Sequence, residues 1–251
     1  MSGIVIRCLA VAALLLGSTV TLAADLKILS TPTVRSVLQD VLPAFQQQTG
    51  HRVEVTYDPV GALKRRIEGG EAFDLAILVP NVSDELIKAG SLDVATRTVF
   101  ARAGYGVAVG ANAPKPDVST VNALKKALLE AKALSCSPDS NSSAYFVSLL
   151  EKLGIAEQLK PRLKAVTGPR VVEAVGSGEA DLTVITVPNI VGERGVQLAG
   201  LLPAELQNYS VFVLAAAAKG TNKEAVQALA RFLQSDAVTA SIKARGLERV
   251  P

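Results

Sequence analysis

The chain is 251 residues long, with 26 basic and 23 acidic residues, one histidine, two cysteines and no tryptophan. A net charge of +3 over that length offers no basic tract for nucleic acid and no polybasic membrane patch. A single histidine gives no Cys/His ligand cluster, so no metal or other cofactor is expected.

The first residues, MSGIVIRCLAVAALLLGSTVTLAA, read as a secretory signal. Arg7 is their only charge, an apolar run follows from Cys8, and Thr21-Leu22-Ala23 supplies a small-x-small site, so cleavage is expected after Ala23. The run is short for the ~20 residues of a membrane span. Arg7 stands where a lipid-attachment cysteine requires a small residue, which leaves Cys8 unsuited to that role. Removing 23 of 251 residues leaves 228, with 25 basic residues against 23 acidic. That length suffices for one large or two small domains in a soluble, periplasmic chain. Cys136 alone remains, which excludes an intramolecular disulfide and marks it as a small buried residue.

The elements follow in order. A short apolar strand at 26–29 leads through Ser30-Thr31-Pro32-Thr33 into a helix at 34–48. Val34, Val37, Leu38, Val41, Leu42 and Phe45 form its apolar face, Pro43 should bend it, and Gly50 stops it. His51 is read as a solvent-exposed residue at the entry to a strand at 53–57, not as a catalytic base. Pro59-Val60-Gly61-Ala62 opens a helix at 62–68 that ends at Gly69-Gly70. A strand at 75–79 and a helix at 84–89 follow. The order changes near 102–105, ahead of a strand at 106–109, a loop at 111–117 and a helix at 119–132. A strand at 133–135 leads through Ser140-Asn141-Ser142-Ser143 into a helix at 143–153; a helix at 170–175 and a strand at 182–185 come next. A second change near 202–210 precedes a strand at 211–217 and a helix at 222–234. This alternation predicts an α/β fold with mostly parallel sheets. The two changes predict two lobes, 24–102 plus 211–251 and 103–210, with a ligand cleft at the carboxyl ends of their strands.

Several loops join a strand to a helix start, where unpaired N–H groups and the positive dipole end favour an anion. Ser30, Thr31 and Thr33 add hydroxyls there, although Thr33 could equally cap its helix. Gly61 permits close backbone approach beside Ala62. Asn141, Ser142 and Ser143 place more small polar groups at one helix start than capping requires. Arg170 opens a helix, an unfavourable place for a cation unless a bound anion or a surface carboxylate offsets it. Arg35, Thr186 and Asn189 flank these loops, whereas Lys64-Arg65-Arg66 reads as a solvated face. For catalysis, Asp58, Asp139 and His51 are the nearest candidate bases. No G-x-S-x-G turn supports a hydrolase.

Across the whole mature length the sequence resembles type-II periplasmic solute-binding proteins, specifically their molybdate-binding branch. The resemblance rests on VLQDVLPAFQQQTGHRVEV, ALKRRIEGGEAFDLAIL, GVAVGANAPKPDVSTVNALKKALLEAKAL, AVGSGEADLTVITVPNI, GVQLAGLLPAELQNYSVFVLAAA and the tail AVQALARFLQSDAVTASIKARGL, in that order. It implies two lobes that close on a tetrahedral oxyanion held by backbone N–H groups and neutral hydroxyls. Carried over, the ligand loops fall on Ser30-Thr31-Pro32-Thr33, Val60-Gly61-Ala62, Ser140-Asn141-Ser142-Ser143, Gly168-Pro169-Arg170-Val171 and Thr186. Gly61 stands where the family has a serine and Thr186 where it has a tyrosine, so two hydroxyl positions differ. The implied function is a monomeric exported receptor that delivers a small anion, molybdate or tungstate in kind, to the membrane subunits of an ABC importer. A divergent branch of the family includes an aconitate isomerase, so the alternative is an isomerase or tricarboxylate binder using the same cleft. The arginines discriminate: Arg35 or Arg170 in the cleft favours a carboxylate, because guanidinium pairs with it bidentately.

Overall fold

The computed structural model describes residues 23–138, 140–167 and 170–250. The leader reading, apart from Ala23, and the candidates Asp139, Gly168 and Pro169 lie outside the described residues. In chain order come β1 (Asp25–Ser30), α1 (Arg35–Thr49), β2 (Arg52–Tyr57), α2 (Val60–Glu68), β3 (Leu75–Leu78), α3 (Pro80–Lys88) and β4 (Thr98–Gly110). Next are α4 (Val121–Glu130), β5 (Leu134–Cys136), α5 (Asn141–Lys152), α6 (Ala156–Leu159), β6 (Leu163–Ala165), α7 (Arg170–Gly176) and β7 (Leu182–Thr186). β8 (Val196–Leu201), β9 (Tyr209–Ala216), α8 (Lys223–Gln234) and α9 (Asp236–Ala244) complete the order.

Among the described residues the strands form one nine-stranded sheet in the order β2-β1-β3-β9-β4-β7-β5-β6, with β8 paired to β4. The outer strands pair parallel, as helical crossovers require. Every pairing that involves β4 or β9 is antiparallel. The sheet is therefore mixed where alternation suggested a mostly parallel one. Strand β4 pairs with β9 from Thr98 to Gly104 and with β7 from Tyr105 onward. The long β4 and the short β6 and β8 escaped sequence reading in part or in full. So did α9, because its apolar positions are sparse: Val238 and Ile242 are its buried residues.

Packing divides at the same place on β4. One core gathers Leu26, Ile28, Val37, Leu38, Phe45, Phe100, Phe212, Leu229, Val238 and Ile242. Another gathers Tyr105, Val107, Leu124, Leu128, Leu134, Phe146, Leu149, Leu182 and Leu206. Helix α1 buries Val37, Leu38, Val41, Leu42 and Phe45 on one face, runs through Pro43 and stops at Gly50, whose φ of 74° is costly for a residue with a Cβ. His51 is a correction. It is 4 % exposed, not solvent-facing. Its Nδ1 accepts the N–H of Ala24 at 3.1 Å and its ring lies 6.0 Å from Phe45. Its place is the core behind α1. Cys136 is buried, and burial pushes its thiol pKa up.

The carboxyl-terminal segment ties α1 to α9. Arg245 donates to both Asp40 oxygens at 2.7 Å, and Ser241 donates to Asp40 at 3.0 Å. The Arg245 hydrogen bond is the main cause holding the Asp40 carboxyl below its ordinary range. Arg249 donates to the carbonyls of Phe100 and Leu233, each at 2.7 Å, and so staples the chain end to β4 and α8.

Two outcomes are expected. A Cβ at Gly106 would lie 2.6 Å from Leu198 Cδ1 and 2.9 Å from the Gly200 carbonyl, so G106A should lose about 1–3 kcal/mol in urea denaturation. Since the folded Asp40 pKa is depressed, its stabilisation is fully present above the unfolded carboxylate pKa of about 3.9 and is lost as pH falls through the folded value. D40N should therefore cost about 0.5–1 kcal/mol at neutral pH, and its deficit relative to the wild type should shrink in acid.

Candidate functional site

A cleft of about 450 Å3 opens where the carboxyl ends of β1, β2 and β7 face the starts of α1, α2, α5 and α7. That volume falls within the range of about 300–1,000 Å3 typical of small-molecule sites. The turn at Pro32–Val34 approaches the turn at Val187–Asn189, so the two walls touch beside the cavity. Gly246 packs so closely on Val187 that a Cβ there would lie 2.7 Å from Val187 Cγ1.

Thr31, Thr33, Asn141 and Ser142 line the cleft, together with Arg35, Asn189 and Asp58. Thr31 is 5 % exposed, and its Oγ1 is buried with no hydrogen-bond partner among the described residues. Its backbone is fixed: Thr31 N–H donates to the Ile77 carbonyl on β3 at 3.2 Å. An orphaned buried hydroxyl costs free energy unless something in the cleft satisfies it. Facing it, Ser140 caps α5, accepting the Ser143 N–H at 3.4 Å while its carbonyl accepts the Ala144 N–H at 2.9 Å. Those bonds occupy the third and fourth amides of α5; the first two, on the lining residues Asn141 and Ser142, have no partner among the described residues.

The other candidates lie off this lining. Ser30 is fully buried and its Oγ donates to the Thr31 carbonyl at 3.1 Å. Gly61 and Ala62 fall in the first turn of α2; Val60 and Pro59 from the same loop line the cavity in their stead. Ser143 Oγ accepts the Ser137 N–H at 2.7 Å, which makes it a turn fastener behind α5. Thr186 Oγ1 accepts from Asn189 Nδ2 at 2.8 Å and so positions Asn189 at the cleft. Arg170 points away to Glu179 at 3.4 Å, with more than half of its side chain exposed. The surface carboxylate is thus what offsets its place at a helix start.

Sequence reasoning missed Tyr57, Ser210 and Arg245 on the lining. Tyr57 carried a signal, since it ends a strand just ahead of a candidate loop. Ser210 and Arg245 carried none, because β9 and the end of α9 come from the far end of the chain. Tyr57 is half-buried, and burial raises its phenol pKa while the Arg35 charge opposes that. Arg35 stacks on the Tyr57 ring, 4.7 Å from its centroid. Two other charges are already engaged. Asp58 is paired with Arg66 at 2.8 Å, and Arg245 is held by Asp40. Glu173 and Glu193 stand exposed at the rim.

The lining mixes hydroxyl, amide and charged groups with apolar side chains, and comparison with known proteins agrees with the fold. The chain is 28 % identical to the aconitate isomerase of a Pseudomonas species over 97 % of this chain and 96 % of that one. It is 26 % identical to the molybdate-binding protein ModA of Azotobacter vinelandii over 89 % of this chain and 90 % of that one. The solved periplasmic molybdate-binding protein of Azotobacter vinelandii superposes with a TM-score of 0.76 at 19 % identity, covering 90 % of this chain and 99 % of that one. The family model for the bacterial extracellular solute-binding protein matches residues 26–248, and the chain belongs to that family.

Proposed function

We propose that this protein is an exported receptor that captures a small anion in the cleft and presents it to the membrane subunits of an ABC importer. The observation that carries this reading is Thr31, a residue of the cleft lining whose buried Oγ1 has no partner among the described residues. An anion between Thr31 and the start of α5 would accept from that hydroxyl and from the open amides of Asn141 and Ser142. The division of the core at β4 supports two lobes, residues 24–102 plus 211–251 and 103–210, that close on the ligand. The closed shape would then be what the importer reads.

A second reading, isomerisation of an unsaturated tricarboxylate, is favoured by the likeness to aconitate isomerase along nearly the whole chain. It needs a base within reach of a carbon-bound proton. His51 is buried in the core, away from the cleft lining, whereas Asp58 lines the cleft and pairs with Arg66. Among the described residues, Asp58 and the rim carboxylates Glu173 and Glu193 are the cleft carboxylates to test.

Thermal denaturation with molybdate, tungstate, sulfate, citrate and cis-aconitate tests the receptor. An anion at about 100 times its Kd stabilises by about 2.7 kcal/mol, which here is on the order of 5–10 °C. Stabilisation by none of them overturns the receptor reading. T31V should leave the unliganded protein as stable as the wild type or up to about 1 kcal/mol more stable, because it removes an unsatisfied buried hydroxyl. The same change should weaken anion binding about tenfold or more. Isomerisation is checked by incubating micromolar protein with cis-aconitate for hours; an unchanged substrate rules it out.

A further inference from the structure

Five charged side chains line the cleft: Arg35, Asp58, Glu173, Glu193 and Arg245. Two of them are paired: Arg245 with Asp40, and Asp58 with Arg66, which also binds Glu71. Arg35 has no carboxylate partner among the described residues, and its guanidinium lies over the face of Tyr57. Stacking restrains the guanidinium plane while leaving its N–H edge free to donate. The Tyr57 ring is itself half-buried at the end of β2 and lines the same cavity.

A compact tetrahedral ion held by hydroxyls and amides makes no use of such a fork. A planar carboxylate matches it, because two parallel N–H bonds meet two coplanar oxygens. The cavity of about 450 Å3 is lined by Arg35, Ser36 and Gln39 on the first turns of α1 as well as by Thr31 and the start of α5. That leaves space for a ligand with anionic groups at two separate points. We infer that Arg35, positioned by Tyr57, is the specificity residue of the cleft and selects a di- or tricarboxylate over a tetrahedral oxyanion. This rests on the anion-receptor reading and names the ligand class of that site. One carboxylate sits at Thr31 and the start of α5, and another sits on the Arg35 fork.

Isothermal titration of the purified protein and of R35Q, R35K, Y57F and Y57L, with cis-aconitate, citrate, sulfate and molybdate, tests it. Arg35 is exposed at the first position of α1, so R35Q should keep the wild-type melting temperature without ligand. The wild type should bind a polycarboxylate more tightly than either tetrahedral ion. R35Q should lose about 10- to 100-fold in polycarboxylate affinity, the worth of a charge-assisted pair, and change by less than about threefold for sulfate or molybdate. R35K, which keeps the charge without the fork, should recover only part of the loss. Y57L should lower the polycarboxylate-to-sulfate affinity ratio, whereas Y57F, which keeps the ring, should hold it near the wild-type value. A merely structural Tyr57 would lower both affinities together and leave that ratio unchanged, which overturns its positioning role. Binding of molybdate or sulfate without polycarboxylates, or an R35Q affinity within threefold of wild type for polycarboxylates, overturns the inference and leaves the receptor standing. Binding of no anion overturns both.

Discussion

Strand β4 holds 13 residues in one extended run and serves two cores in turn, pairing with β9 up to Gly104 and with β7 and β8 from Tyr105 onward. The handover is fastened closely. Gln207 grips the Tyr105 backbone with two hydrogen bonds, at 2.8 and 3.1 Å, and the Tyr105 hydroxyl lies 3.0 Å from Ser210 Oγ. Arg102 stacks over Tyr209 at 4.2 Å and pairs with Glu248 at 2.7 Å. Every other feature of the cleft depends on this crossing, because it sets how the helix starts of one core face those of the other. Without β4 and β9, the parallel strands on the two sides would share no backbone hydrogen bonds.

In the proposed receptor, the anion is held chiefly by neutral groups of the cleft. Its polar groups are a threonine hydroxyl, the open amides of a helix start, and small side chains at the turns. Such groups are preorganised dipoles, and in a half-closed pocket they act at lower effective dielectric than in water. Two of the five charged side chains on the lining are paired with neighbours off it. Asp40 holds Arg245 and Asp58 holds Arg66, so those pairs brace the walls. Arg35 differs because its neighbour is an aromatic face, which orients a guanidinium without cancelling it.

The loops around the cleft show how one local pattern serves two purposes. A run of serines at a helix start can cap, fasten a turn or meet a ligand, and Ser140-Asn141-Ser142-Ser143 does more than one of these. Ser140 caps and Ser143 fastens to Ser137, while Asn141 and Ser142 reach the cavity. In the same way Ser30 bonds to its own chain while the buried hydroxyl of Thr31, one residue on, has no partner among the described residues. Because strand residues alternate between faces, adjacent residues at a strand end meet different surroundings.

The sequence by itself determined the α/β class, the elements from β1 to α3, the stop at Gly50 and several of the loops that line the cleft. These follow from local periodicity and from capping chemistry, which act within a few residues. It did not determine that Arg170 would find Glu179, that His51 would turn into the core, or that Arg245 would reach the rim from the far end of the chain. The antiparallel centre of the sheet and the sparse helix α9 were likewise set by pairings distant in sequence. Which hydroxyl stays unsatisfied and which arginine stays uncancelled depends on every group brought within hydrogen-bonding reach. Only tertiary structure decides that, because Coulomb and hydrogen-bond energies fall off with distance in space and take no account of separation along the chain.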